Sequence, residues 1–322
     1  MKKTMFVLCF TLLTFMAITA LAQEGNMPKE NNFSARIEAG GIWINTTDQL
    51  FVYDRNEKTE NLNDEADNFS TTMPLVMFDL RYAFQSSDTE VYLQTPLEES
   101  GIPLTLGLTQ TFIDTSKLDV SIFYGIMGEV WKDPYIAGGA RDDTDIKDVG
   151  FTIDYDRILD TGLNLYYRYN LADVDEDVIG TRFHDLKRDG IIHTTGLGYM
   201  IDLDENNMII PGFEYSKANM DGESNSYNSY KIKFGYKRMK NDYILNAFVS
   251  ADKKDYDKTH PIFNKTRDET EYSATAIFTL LNPFGYDKFF TNFIVGYSYS
   301  DSNIDFFDKR TYISGVTIGY NF

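Results

Sequence analysis

The sequence predicts an all-β protein, a transmembrane antiparallel up-and-down β-barrel of about fourteen strands, with twelve as the alternative count. Three observations lead there. Segment after segment alternates apolar and polar residues with a period of two over about ten residues, longer than the five or six usual in soluble sheets. The connections alternate between long, charged stretches and short turns. After residue 22 no apolar run is long enough for a spanning helix, so a chain that crosses a membrane would do so with strands, which need only one lipid-facing residue in two. A high aromatic content, 22 Tyr and 24 Phe, fits that arrangement.

The chain opens with Lys2 and Lys3, runs through an apolar stretch from Met5 to Leu21, and reaches Ala20-Leu-Ala22 before Gln23. This is the form of a cleaved secretory signal, residues 1–22. Cys9 lies inside it, so the mature chain has no thiol for a disulfide, a metal or a nucleophile. Removing Lys2 and Lys3 leaves 28 basic against 49 acidic residues, a net charge of −21 that argues against nucleic acid as a partner. Residues 23–32 form a short polar periplasmic segment, and residues 33–322 form the barrel.

The first strand places Phe33, Ile37 and Trp43 on one face and Arg36 and Glu38 on the other. Residues 46–73 follow as a long, acid-rich, solvated loop. The second strand sets Val76, Phe78, Leu80 and Tyr82 against Asp79 and Arg81, and the third runs from Val91 to Leu97. Pro96 and Pro211, in the third and ninth strands, call for a strand end or a bulge. Leu104 to Phe112 and Leu118 to Val130 are the fourth and fifth strands, before a long loop at 132–148. The sixth and seventh meet at the turn 159–162, and a charged loop covers 173–190. The eighth and ninth join through 204–207, and the tenth and eleventh through 240–242. Residues 252–268 read as a further long loop, before the twelfth and thirteenth strands flank 282–285. Trp43, Phe84, Phe112, Trp131, Tyr299, Tyr312 and Phe322, near strand ends, are candidates for interfacial girdles.

The last strand alternates Tyr312, Ser314, Val316, Ile318, Tyr320 and Phe322 with Gly315, Thr317, Gly319 and Asn321. An aromatic final residue behind such a pattern resembles the closing strand and assembly signal of Gram-negative outer-membrane barrels. That resemblance implies the outer membrane as the location, with its lipid and lipopolysaccharide as surroundings, and a barrel assembly machinery that reads Tyr320 and Phe322. The stretch from Lys132 to Asp145, introduced by Glu129-Val-Trp131, is similar to a segment of the barrel family catalogued as domain of unknown function 2860. It implies a barrel and carries no substrate or active site to transfer.

Catalytic and metal motifs are incomplete. His193-Thr-Thr195 has threonine where an outer-membrane lipid hydrolase has serine, and His184 and His260 stand on separate loops. Asp202 to Asn206 and Asp173 to Asp177 have calcium-loop spacing at first but lack the glycine and the bidentate glutamate. Asp142, Asp143 and Asp145 are left as loose divalent-cation candidates at the cell surface. No cofactor, catalytic residue or metal centre is expected.

The opposite parity of each strand gives the residues that would line the lumen. These are Arg36, Glu38, Asp79 and Arg81 early in the chain, Glu129, Asp154, Asp156 and Arg168 in the middle, and Glu214, Lys231, Lys233 and Lys237 later. Charges of both signs require a wet lumen or pairing across it. The expected function is passive or weakly selective passage of a small hydrophilic solute, with a closed structural or adhesion barrel, then a membrane-embedded hydrolase, as the alternatives.

Overall fold

The computed structural model describes residues 32–63, 66–97, 102–125 and 128–322. The predicted signal and most of the polar segment after it lie outside these residues. Sixteen strand segments follow in chain order: β1 (Phe33–Thr46), β2 (Phe69–Phe84), β3 (Thr89–Gln94), β4 (Pro103–Thr111), β5 (Lys117–Gly125), β6 (Glu129–Trp131), β7 (Asp143–Asp156) and β8 (Leu163–Val174). The second half holds β9 (Gly190–Tyr199), β10 (Ile201–Asp204), β11 (Asn207–Met220), β12 (Tyr227–Met239), β13 (Tyr243–His260), β14 (Lys265–Leu281), β15 (Phe289–Ser302) and β16 (Lys309–Asn321). Segments β5 and β6 both pair with β7, and β9 and β10 both pair with β11, so the wall has fourteen antiparallel strands.

Closure is made by β16 against β1, in register from Arg36 opposite Asn321 to Thr46 opposite Thr311. The Phe322 N–H donates to the Ala35 carbonyl at 2.9 Å, and the rings of Phe322, Tyr320 and Phe289 pack edge to face along the outside of the seam. A closed sheet has no free edge, which is what alternation alone could not establish.

The outer face is apolar, with Phe33, Ile37, Val76, Leu106, Ile122 and Ile318 about half exposed or more. A soluble monomer rarely exposes a contiguous apolar surface of this extent. The predicted girdle residues Trp43, Phe84, Phe112, Tyr312 and Phe322 lie on this face. Trp131 does not: it is 3 % exposed, beneath the Arg141 guanidinium, because the chain turns inward into the loop that follows β6.

Three further expectations are corrected: a loop at 252–268, a solvated loop at 46–73, and a third strand that reaches Leu97. Residues 252–268 are not a loop, since β13 and β14 continue as a paired hairpin to the turn 261–264. Their high charge misled the reading because those charges pair across the two strands. The stretch 46–73 is not one solvated loop either: Thr46 ends β1, Phe69 to Met73 belong to β2, and Phe51, Val52 and Asn56 between them are buried. The third strand stops at Gln94, leaving Pro96 outside it. The irregularity expected at Pro211 is present on one side of it: Pro211 keeps its register with Phe234 of β12, and the pairing is interrupted on the other side, at Met200 between β9 and β10. A residue without an N–H can stay in a sheet where it has no bond to donate, so neither proline removes a strand and the twelve-strand alternative falls.

Candidate functional site: the inner wall and its outer mouth

Side chains alternating with the apolar outer ones point inward. Glu38 accepts hydrogen bonds from Asn292 Nδ2 at 2.6 Å and from the Thr317 hydroxyl, with Arg36 at 3.2 Å. Arg36 lies over the Phe290 ring. Arg81 joins Asp79 at 2.9 Å to Glu90 at 2.7 Å. Asp154 and Asp156 stand opposite Asp119 and Lys117 of β5, and Asp119 accepts from the hydroxyls of Tyr92 and Thr109. Arg168 packs 3.8 Å above the centre of the Phe123 ring. Glu214 has Lys233 at 2.6 Å and Lys231 at 3.9 Å and accepts from the Tyr166 hydroxyl. Lys237 is buried opposite Asn246 near the short-turn end. Glu129 faces Asp145 at the long-loop end of the wall.

Sequence reasoning missed the charges of the β13–β14 hairpin. Asp252 is 3.8 Å from Lys231 and from Lys254, Lys254 is 3.7 Å from Glu271, and Lys309 is 3.6 Å from Glu271. Extending the period-two pattern past Ala251 would have placed Asp252, Lys254, Glu269 and Glu271 on the inner face. The wall is also less polar than expected: Ile42, Ile44, Met73 and Ile313 form an inner apolar cluster touched by Phe248 and Ile277.

Inward aromatic rings lie on glycines of the adjoining strand. Tyr166 is in register with Gly196, and a Cβ on that glycine would fall 2.1 Å from the ring. Phe290 and Gly319 repeat the arrangement, at 1.8 Å. Tyr92 and Gly107 form a third such pair. Only a residue without a side chain leaves room for a ring flat against the wall.

At the long-loop end the connections pack on one another. Ile304, Phe306 and Phe307 are buried against Leu50, Leu62, Tyr135 and Phe263. The Tyr135 hydroxyl is 3.0 Å from His260 Nε2, and burial pushes that phenol up to about 12. Arg141, 1 % exposed, donates to the carbonyls of Gln49 at 3.0 Å, Pro134 at 3.1 Å and Asn56. Burial pushes its guanidinium down to about 10. Backbone bonds from Gly138 to Thr59 and from Arg141 to Glu57, both 2.8 Å, complete the join between loops 47–68 and 132–142. His193 stands apart from this mouth cluster, with its Nδ1 2.7 Å from the Tyr167 hydroxyl and Tyr169 against its ring.

A closed fourteen-stranded sheet, apolar outside and charged within, defines an up-and-down β-barrel. The chain belongs to the family described as Protein of unknown function (DUF2860), whose profile matches residues 32–321. No curated protein matches the sequence. Among solved structures the chain is similar to the CymD monoaromatic hydrocarbon channel, with 7% identity over 91% of this chain and 89% of that one and a TM-score of 0.47. A Pseudomonas aeruginosa FadL homologue gives 12% identity, 89% of both chains and a TM-score of 0.43. The anion-selective porin from Comamonas acidovorans gives 8% identity, 90% of this chain, 98% of that one and a TM-score of 0.42. The activities in those names are those proteins' own.

Proposed function

We propose that this protein is an outer-membrane channel, reached through a cleaved signal peptide and assembled through its C-terminal strand, that lets small hydrophilic solutes pass passively or with weak selectivity. The observation that carries the reading is the inner wall, where charges of both signs pair from strand to strand from the loop end towards the turn end. Paired charges on a barrel wall hold water and give a solute successive partners without a deep trap. The apolar exterior supports membrane lipid and lipopolysaccharide as surroundings. Tyr320 and Phe322, at the closing seam, are the groups an assembly machinery would read.

Planar-bilayer conductance of the refolded mature chain tests the proposal, with discrete openings expected. Silence at every voltage and salt concentration would replace it with the second reading, a closed structural or adhesion barrel. The apolar packing of loops at the outer mouth favours that reading.

A further inference from the structure

Hydrogen-bonded partners in a barrel form rows that run across the strands. Because strands tilt by about 35–45° and lie about 4.8 Å apart, each step to the next strand climbs roughly 3 Å. One such row passes from Lys309 through Ser300, Glu271, Asp252 and Lys231 to Glu214. It continues through Gly196, Tyr166 and Asp154 to Asp119. Lys309 opens β16 at the loop end, and Asp119 lies beside the short turn before β5. The row is therefore a spiral that traverses the wall, with Lys309 and Lys231 set among the carboxylates of Glu271, Asp252, Glu214, Asp154 and Asp119, and with Lys254 and Lys233 reaching Glu271 and Glu214 beside it.

One inward position further along the strands, toward the turn end of β16 and β1, a second row begins. It joins Thr46, Thr311, Ser298, Ser273 and Ser250, small hydroxyl residues throughout. Beyond it lie Ile44, Ile313 and Phe248, in register through Gly296 and Thr275, and next to them Met73, Ile42 and Ile277. The inner wall thus carries a charged spiral and an apolar spiral side by side, separated by hydroxyls. The Ser298 and Ser300 hydroxyls, between the two or on the charged edge, are buried with no hydrogen-bond partner among the described residues.

We propose that this wall guides a small zwitterion with an apolar side group, an α-amino acid with an aliphatic or aromatic side chain being the simplest member. The proposal rests on the channel reading above and names its solute class. The ammonium groups of Lys231, Lys233, Lys254 and Lys309 stand beside the carboxylates of Glu214, Asp252 and Glu271, so one stretch of wall offers a partner to the carboxylate and to the ammonium of the same molecule. The apolar side group then rests on the Ile44, Ile313 and Phe248 stripe. From Asp252 to Phe248 is four residues of strand, about 13 Å. Allowing ~3 Å for a hydrogen bond and ~4 Å for van der Waals contact leaves about 6 Å, the size of leucine or phenylalanine.

The test is swelling of liposomes containing the full mature barrel, in low millimolar leucine, phenylalanine, serine, glycine, leucinamide, N-acetylleucine or arabinose. Leucine and phenylalanine are expected to enter several-fold faster than serine, since each methylene removed from water is worth roughly fourfold. Simple sieving predicts the reverse order. Leucine should also outrun singly charged leucinamide and N-acetylleucine. In Phe248→Ser with Ile313→Ser the leucine-to-serine ratio should fall to about one while arabinose entry is unchanged. Arabinose and glycine entry without a leucine preference in the native barrel overturns the solute class and leaves the channel standing. No entry of any solute overturns both. If the double variant fails to insert, the native comparison among leucine, serine and leucinamide still decides.

Discussion

Arg141→Ala should loosen the outer mouth. In the folded protein the guanidinium makes three hydrogen bonds to carbonyls and lies 4.6 Å from the Trp131 ring centre. Hydrogen bonds from a charged donor contribute about 1.5–3 kcal/mol each, and a desolvated cation–π contact about 1–2 kcal/mol. Against this stands the cost of burial, on the order of 3 kcal/mol for a guanidinium brought to about 10. Taken at the low end of those ranges the balance is roughly 3 kcal/mol of local stability, so alanine should raise the opening of the loop pair by about a hundredfold or more. Hydrogen exchange at the amides of Gly138 and Arg141, which bind Thr59 and Glu57, reads that opening directly. Arg141→Lys keeps the charge but cannot span three carbonyls, and should fall between the two. A cation whose folded pKa is depressed gains stability only as pH rises through about 10. The wild-type opening equilibrium should therefore be flat from about pH 6 to 9 as far as this group is concerned. Unchanged exchange in Arg141→Ala would show that the carbonyls find other donors and that the arginine does not hold the loops together.

Three further outcomes are expected. Lys231→Glu with Lys233→Glu reverses two charges beside Glu214 and should raise cation over anion permeability several-fold, read as a shift in reversal potential under a salt gradient; no shift would put the ion path away from this wall. Deleting Phe322 should lower outer-membrane levels far more than excising residues 50–63, and equal losses on membrane fractionation would refute its role as an assembly signal. Gly196→Val should drive the Tyr166 ring off the wall and away from Glu214 at a cost of about 1–3 kcal/mol, lowering both the unfolding temperature and single-channel conductance; native conductance would show that the wall can absorb the added side chain.

The fold was legible because a lipid-facing exterior imposes a strict period of two, and loops and turns interrupt it in alternation. The count of about fourteen followed from that pattern; closure came only with the pairing of β16 and β1, and the twelve-strand alternative fell only once Pro96 and Pro211 were placed. The inner residues were legible by parity wherever the strand itself was recognised. Asp252, Lys254, Glu269 and Glu271 escape a reading by charge alone, because a run of charges suggests solvent exposure, whereas opposite charges on neighbouring strands pair inside this barrel. Ile313 and Ile42 sit at inward positions among glycine, threonine and charged neighbours, so an apolar inner stripe emerges only when several strands are aligned in register. The loop packing left no periodic trace at all: Arg141 was one basic residue among aspartates, and its contacts reach back more than eighty residues in the chain.

The glycine-backed rings bear on the bore of the barrel. Tyr92, Tyr166 and Phe290 are among the largest inward side chains, yet each is laid along its neighbour's backbone and does not project toward the axis. The calibre of the passage is then set by what stands beneath the rings: replacing a glycine would lift its aromatic neighbour like a flap, and narrow the tube at that height without adding bulk to the axis directly. Each pair is a point where a single methyl group could act as a throttle. The successive heights at which the pairs occur offer a way to map, step by step, where along its length the inside of the barrel is narrowest.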